Sequence, residues 1–212
     1  MPASVTISHL SYTGPDGQKL FSNLDLTFGP GRTGLVGRNG VGKTTLLRLI
    51  AGELVPNAGT ISVAGRMGVL RQQVQPGPSE TIADLFGVRD GLALLHRALS
   101  GEASVEELAE ADWTLEARLD EALAQLGLPV GPETLLSTLS GGQRTRAALA
   151  ALVFAEPDLI LLDEPTNNLD GEGRAAVAAL LAGWKGAAIV VSHDRGLLEQ
   201  VDAIVELTSL GA

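Results

Sequence analysis

Apolar and polar residues alternate along the first part of the chain, which is the pattern of strands with one buried face. Residues 3–12 and 19–28 predict two antiparallel strands, and Gly-Pro-Asp-Gly at residues 14–17 predicts the turn that joins them. The alternation at the very start is typical of an edge strand. Residues 60–70 predict a second pair of strands, broken at Gly65. We therefore expect an antiparallel β subdomain in the N-terminal part.

Three short segments are apolar almost without alternation. They are Thr33–Val36, Leu159–Leu162 and Ala187–Val191. Apolar runs of this length are typical of parallel strands that are buried on both faces. They predict a mainly parallel sheet, and hence an α/β fold.

The segment between residues 78 and 139 has a different character, with Ala, Leu and Glu throughout. Residues 105–111 and 115–126 predict two short helices within it. Ser104 is expected to cap the first helix, with Glu107 as its partner in a capping box. We expect a helical lobe inserted into the α/β core, and its acidic residues are expected to form a solvated helix face.

Composition limits the functions that are open to this chain. Its 212 residues carry a net charge of −10, which argues against a broad surface for nucleic acid. It has no cysteine, so disulfides and thiolate metal sites are excluded and a reducing compartment is favoured. No signal peptide opens the sequence, and no apolar run is long enough to span a bilayer. A cytoplasmic location is the expectation.

A phosphate-binding loop lies at residues 37–44, Gly-Arg-Asn-Gly-Val-Gly-Lys-Thr. Its glycines allow the backbone N–H groups to turn toward phosphate oxygens, and the helix predicted from Lys43 to about Gly52 offers its N-terminus to the anion. Lys43 is expected to reach the β- and γ-phosphates, and Thr44 to bind Mg²⁺. A glycine-rich turn before an ordinary helix is the competing interpretation, but the strand–loop–helix order argues against it. The expected binding residues are Gly37, Asn39, Gly40, Gly42, Lys43, Thr44 and Thr45.

Two acidic residues follow the apolar run that ends at Leu162. Asp163 is expected to hold Mg²⁺, usually through water, because this ion keeps several of its waters. Glu164 is expected to polarise the attacking water or accept its proton. A pair of exposed acids at a strand end would be the simpler interpretation if there were no phosphate-binding loop.

Two further polar residues stand at the ends of predicted elements. Asp170 is expected to cap a helix from Gly171 to about Ala182, and a contact across a domain interface is its alternative role. His193 follows the apolar run that ends at Val191. Because ligands bind at the carboxyl ends of parallel strands, a functional role is favoured for His193 over a structural one.

Together these features resemble the nucleotide-binding domain of ATP-binding-cassette (ABC) proteins. The resemblance rests on the loop at 37–44, the signature Leu139-Ser140-Gly141-Gly142-Gln143, the acidic strand at 159–164 and His193. It implies a P-loop NTPase core with a mainly parallel sheet, an antiparallel N-terminal β subdomain and an inserted α-helical lobe.

The resemblance also implies a domain organisation. The 212 residues would form a single ABC ATPase domain. Residues 1–77 and 140–212 would contain the nucleotide-binding core with its β subdomain, and residues 78–139 the helical lobe.

Two roles follow from the resemblance alone. Tyr12 matches the aromatic residue that stacks on adenine, and a strand-edge tyrosine is the alternative. Gln72 matches the glutamine that senses Mg²⁺ and the γ-phosphate, and Gln73 competes with it for this role.

The signature implies a site shared between two cassettes. In this family Ser140, Gly141, Gly142 and Gln143 would face the phosphate-binding loop of an opposing cassette, so that ATP and Mg²⁺ join the two domains. Removal of the γ-phosphate by hydrolysis then lets them separate. The expected activity is conversion of ATP and water to ADP and phosphate, weak in this chain alone. The partner would be a second cassette on the same polypeptide or a second copy bound head to tail.

Finer details resemble the ABC-F group. They are Asn167-Asn168 after the acidic strand, Ser192 before the histidine, and Arg144 and Arg146 after the signature. Transporter cassettes more often carry Ser-Ala at the positions of Asn167-Asn168 and Thr at the position of Ser192. ABC-F proteins are soluble, carry two cassettes joined by a helical linker, and many act on the ribosome. The resemblance implies an N-terminal cassette that serves translation or ribosome-protection antibiotic resistance, with the ribosome contacted through regions absent from this chain.

Two other functions stay open at this point. One is the ATP-binding subunit of a membrane transporter, whose membrane subunits would be separate chains because this one has no transmembrane segment. The other is a nucleotide-gated binding module in which slow hydrolysis only times release.

Overall fold

The computed structural model describes residues 3–70 and 77–208. The strands are β1 (Ser4–Thr13), β2 (Lys19–Phe28), β3 (Arg32–Gly37), β4 (Ala58–Ala64), β5 (Met67–Leu70), β6 (Leu159–Asp163), β7 (Ala187–Val191) and β8 (Ala203–Leu207). The helices are α1 (Lys43–Ile50), α2 (Ile82–Leu85), α3 (Arg89–Ser100), α4 (Val105–Glu110), α5 (Leu115–Gln125), α6 (Gly141–Phe154), α7 (Gly171–Gly183) and α8 (Arg195–Leu198), with a 3₁₀ turn at Leu136–Thr138. The α/β class with one parallel and one antiparallel sheet confirms the fold expected from the sequence.

The described residues divide into two compact units. The first contains residues 3–70, 157–167 and 177–208, and the second contains residues 77–156 and 168–176. The helical unit therefore extends past residue 139, where the sequence placed the end of the lobe. The reason is that α6 packs against α5 and α2. No helix in the described residues is long and apolar enough to cross a membrane.

The smaller sheet of the first unit is antiparallel, in the order β2-β1-β4. The predicted pairing of the first two strands is confirmed, with Val5 opposite Phe28 and Thr13 opposite Lys19. The expectation that the first strand lies at an edge is wrong, because β1 also pairs with β4. Alternation reports which face of a strand is buried and not how many neighbours the strand has.

The predicted strand pair within residues 60–70 is also wrong. Its first strand, β4, joins the antiparallel sheet, whereas β5 pairs in parallel with β6. Gly65 lies between them with a φ of +92°, a conformation that turns the chain and suits glycine. Arg66 N–H then donates to Asp158 Oδ2 (2.7 Å), and Asp158 N–H donates to the carbonyl oxygen of Arg66 (2.8 Å). These bonds hold the start of β5 beside β6.

The larger sheet is parallel throughout, in the order β5-β6-β7-β3-β8. All residues of β6 and β7 are buried, as their continuous apolar sequences predicted. Because β6, β7 and β3 are neighbours and run in the same direction, their carboxyl ends meet at one edge of the sheet. The residues that follow these three strands are thereby brought close together.

Helix α1 joins the two sheets through a shared hydrophobic core. Its buried residues Leu46, Leu47, Leu49 and Ile50 belong to one cluster with Ile7 and Phe28 of the antiparallel sheet and Leu35, Leu161 and Ile189 of the parallel sheet. Burial of several such side chains contributes on the order of 2 kcal/mol each to folding. The packing fixes the N-terminus of α1 against the ends of the parallel strands.

The second unit is helical and has a leucine-rich core. The predicted capping box is confirmed, since Glu107 N–H donates to Ser104 Oγ (3.2 Å) and Ser104 N–H donates to Glu107 Oε2 (2.9 Å). Its buried side chains include Leu92, Leu95, Leu115, Leu119 and Leu123.

An arginine–aspartate pair in the first unit gives a prediction about pH. Arg32 donates from Nη2 to Asp202 Oδ1 (2.7 Å) and from Nε to Asp202 Oδ2 (3.0 Å), and these bonds lower the pKa of Asp202 to about 2. The pKa of Asp202 in the unfolded chain is close to 3.9, so the contribution of this pair to stability is complete above that pH and is lost as pH falls through about 2.

We expect Asp202→Asn to lower the free energy of unfolding at pH 6, with a deficit that shrinks below pH 4. Urea unfolding at several pH values measures this, with Glu199→Gln as the control for loss of an exposed carboxylate. A deficit of the same size from pH 6 to pH 2 would contradict the assignment.

Candidate functional site

The loop from β3 to α1 has a backbone that only glycine adopts readily at two places. Gly40 and Gly42 have φ angles of +81° and +105°. Gly42 is also the N-cap of α1, and a Cβ placed on it would lie 2.8 Å from Cζ of Phe21. The loop thus lies closely against β2, and its amide groups are held at the positive end of a helix.

Lys43 is buried at the centre of this loop, with 8% of its surface exposed. Its Nζ donates to the carbonyl oxygens of Gly37 (2.8 Å) and Arg38 (3.2 Å). A buried ammonium must keep such partners or exchange them for others of negative charge. The position of Lys43 therefore suits an anion that enters the loop and replaces the two carbonyls.

Asp163 ends β6 beside the loop and has 9% of its surface exposed. Burial raises its pKa, while a hydrogen bond with Thr44 and the charge of Lys43 act in the opposite direction. Within the described residues, its Oδ1 atom is buried and accepts no hydrogen bond. A hydroxyl and a carboxylate oxygen that needs a partner are ligands suited to Mg²⁺. The residues present therefore fit this ion.

Glu164 and His193 lie together at the same edge of the sheet. Glu164 has a φ of +48°, unusual for a residue with a side chain, and its N–H donates to the carbonyl oxygen of Val191 (2.8 Å). Its Oε2 accepts from His193 N–H (3.4 Å), and its Oε1 lies 3.5 Å from His193 Nε2. The strained backbone and both contacts direct the carboxylate toward the histidine, which is the exposed member of the pair.

One cavity of about 280 Å³ connects these groups. It is lined by Leu20, Asn39, Gly40, Gly42, Lys43, Thr44, Thr45, Asp163, Glu164, Val191 and His193. The sequence had not indicated Leu20 or Val191. Both lie in strands whose apolar pattern predicts burial in the fold, and the pattern carries no sign that a strand passes beside a ligand cavity.

Gly37 and Tyr12 were also expected at the site, but neither lines this cavity. Tyr12 is buried in the core and lies opposite Phe21 in the antiparallel sheet. Gln72 and its competitor Gln73 lie outside the described residues. The adenine and metal-sensing roles of these residues stay predictions.

The signature begins helix α6 of the second unit. Gln143 N–H donates to Ser140 Oγ (3.2 Å), and Ser140 N–H donates to Gln143 Oε1 (2.9 Å), so the two side chains form a capping box. Gly141 lies between them at the N-terminus of the helix. The predicted capping role of Asp170 is confirmed, because Gly173 N–H donates to its Oδ1 (2.8 Å).

Comparison with known proteins identifies relatives of this chain. A family model described as ABC transporter matches residues 21–167. The tylosin resistance ATP-binding protein TlrC of Streptomyces fradiae is 38% identical over 217 residues, covering 90% of this chain and 40% of that protein. The energy-dependent translational throttle protein EttA of Mycobacterium tuberculosis is 34% identical over 213 residues, covering 89% of this chain and 38% of that protein. This chain therefore spans well under half the length of these relatives.

A solved structure gives the same fold. It is a dimeric ATP-binding cassette in a post-hydrolysis state with ADP and phosphate. It has a TM-score of 0.75 and 23% identity, and it covers 98% of this chain and 96% of that one. At this identity the likeness establishes the fold alone.

Proposed function

The chain belongs to the ABC transporter family, and from this premise we propose that it binds ATP with Mg²⁺ and hydrolyses ATP as one half of a two-cassette ATPase. The observation that carries the proposal is the convergence of Lys43, Thr44, Asp163, Glu164 and His193 on one cavity. A cation, a metal-binding pair and a carboxylate base are the groups that phosphoryl transfer to water requires.

The loop binds the triphosphate. Lys43 exchanges the carbonyl oxygens of Gly37 and Arg38 for β- and γ-phosphate oxygens, and the amides at the start of α1 add hydrogen bonds. Thr44 and Asp163, together with Gln72, would hold Mg²⁺, which would supply positive charge to neutralise the phosphate oxygens. Tyr12 is proposed to contact the adenine, which requires its ring to leave its buried position.

Glu164 acts on the water. Its carboxylate accepts a proton from the water whose oxygen attacks the γ-phosphorus, while the bond from that phosphorus to the β–γ bridging oxygen breaks. His193 holds the carboxylate by its N–H and places its ring beside Oε1, so that it orients both the base and the water.

The second cassette completes the site. The N-terminus of α6, with Ser140, Gly141, Gly142 and Gln143, offers partial positive charge and small residues to a γ-phosphate bound by the opposing domain. Asp170 is proposed to contribute to the same interface. ATP then stabilises the pair of domains, and hydrolysis releases it.

This shared site predicts weak turnover by the chain alone. We expect ATP turnover per molecule to rise at least about tenfold between dilute and concentrated protein, because pairing of two copies must precede hydrolysis. Turnover is measured against concentration beside sedimentation.

Addition of Lys43→Ala copies provides a matched control. These copies keep an intact signature but lack the lysine, so they should raise the turnover of dilute wild-type protein. If a monomer hydrolysed ATP efficiently, with a turnover per molecule that did not depend on protein concentration, the signature of a second copy would not be needed for hydrolysis.

We further propose that the chain is the N-terminal cassette of a cytoplasmic ABC-F protein that acts in translation or in ribosome-protection antibiotic resistance. The names of TlrC and EttA, a tylosin resistance protein and a translational throttle, support this role. Asn168 also supports it, because its φ of +62° is tolerated by asparagine better than by the alanine typical of transporters. ATP-dependent co-sedimentation of the full two-cassette protein with ribosomes tests it, and sedimentation that ATP does not change would contradict it.

A further inference from the structure

Helix α4 differs from the other helices of the second unit in one respect. None of its six residues is buried. Helices of this length are not stable by themselves, and most helices in proteins are stabilised by packing of an apolar face. Here a capping box at Ser104 stabilises the start of α4, and an ion pair from Arg97 Nη2 to Glu107 Oε1 (2.6 Å) joins α4 to α3.

The helix nevertheless has an apolar face. Val105 and Leu108 lie three positions apart, and Ala109 completes the same stripe. Successive residues turn by about 100° around a helix, so Glu107, which bonds to α3, points away from this stripe. Val105 is 79% exposed and Leu108 is 38% exposed. The side of α4 that would normally be buried therefore faces solvent.

Exposed apolar residues are concentrated in the part of the sequence that contains this helix. Seven large hydrophobic residues of the described chain are exposed, and four of them lie between residues 99 and 113. Besides the two on α4 they are Leu99 and Trp113, which flank α4 in the sequence. Trp113 is 56% exposed. Large exposed apolar groups near one another mark interaction surfaces, in which tryptophan is enriched.

The surrounding charges restrict the partner. Residues 101–121 contain eight Asp and Glu residues and one Arg, so most of the net charge of −10 is located here. This charge repels nucleic acid, an anionic membrane and the same face of a second copy. It attracts a partner that carries Lys and Arg around an apolar stripe.

We propose that the α4 face, defined as Val105, Leu108 and Ala109, docks a basic amphipathic segment of another protein. The apolar stripe of that segment packs on α4, and its cations lie against Glu102 and Glu106. This surface belongs to the second unit and does not depend on the proposed ATPase activity.

The test uses fluorescein-labelled 18-residue peptides of Lys and Leu in helical period and the whole 212-residue chain. Fluorescence anisotropy is expected to show binding that weakens with salt. The double change Val105→Ser and Leu108→Ser should raise Kd at least about tenfold. Val55→Ser, at a residue that is 83% exposed in the first unit, is the matched control and should leave Kd unchanged.

A charge reversal tests the electrostatic contribution to the proposed binding. Glu102→Lys with Glu106→Lys should also raise Kd at least about tenfold, whereas Glu199→Lys should leave it unchanged apart from a small long-range effect. All of these positions are exposed, so the variants should fold, and unchanged far-UV circular dichroism and urea unfolding verify that they do.

Trp113 reports where the peptide binds. It lies five residues after Leu108, so the chain itself keeps the two within about 18 Å. In a Trp184→Phe background, the emission of Trp113 should shift to the blue on peptide binding.

The proposal is overturned if no peptide of the set binds at about 1 mM, or if the α4 substitutions leave the peptide Kd unchanged. It is also overturned if an RNA oligonucleotide binds the face instead, or if the same changes only abolish self-association.

Discussion

Replacement of Glu164 by Gln is expected to lower kcat for ATP hydrolysis at least about 100-fold while ATP still binds. The amide has nearly the same shape and can still accept from His193 N–H, which lies 3.4 Å from Oε2. It cannot take a proton from water. Because the backbone N–H of residue 164 remains bonded to the carbonyl of Val191, the local structure should persist.

Turnover and nucleotide affinity must be measured separately for this variant. Turnover is compared at the protein concentration where the wild-type rate per molecule no longer rises, because dilute protein would be slow for another reason. Glu172→Gln changes an exposed acid of α7 outside the cavity and serves as the control. If the Glu164→Gln protein hydrolyses ATP at the wild-type rate, Glu164 is not the base.

The parallel sheet could be predicted from sequence because its central strands are apolar at every position. Burial on both faces leaves that signal in Leu159–Leu162 and Ala187–Val191. Strand β8 lacks this signal, since Ala203, Ile204 and Glu206 are exposed, so its apolar pattern does not predict an edge strand. The separation of β4 from β5 was missed because it depends on the contact between Arg66 and Asp158, residues far apart in the chain.

The site could be predicted where local chemistry demands particular residues. A lysine after a glycine-rich turn and two acids after a buried strand are local signals, and Lys43, Asp163 and Glu164 do meet in space. The close approach of Phe21 to Gly42 could not be predicted from the sequence, because it joins two elements through tertiary packing. The burial of Tyr12 could not be predicted either. A strand residue that faces the core and one that lies beside a ligand show the same alternation of apolar and polar residues.

The change Lys43→Ala is expected to weaken MgATP binding at least about 100-fold. The lysine provides the buried cation of the loop, and hydrogen bonds to a charged group contribute about 1.5–3 kcal/mol each. Its loss also removes the positive charge that opposes the rise in the pKa of Asp163. The loop would then present two unpartnered carbonyls, those of Gly37 and Arg38, to an anionic ligand.

Lys185→Ala is the matched control for this change, because Lys185 is exposed and lies outside the cavity. Binding is measured by titration with a fluorescent ATP analogue and, in parallel, with adenosine. Affinity for adenosine should be nearly equal in wild type and Lys43→Ala, since adenosine has no phosphate for the lysine to contact. Urea unfolding verifies that both variants keep the fold. An MgATP affinity that stays within about twofold of wild type, below roughly 0.5 kcal/mol, would mean that the loop at residues 37–44 is not the phosphate site.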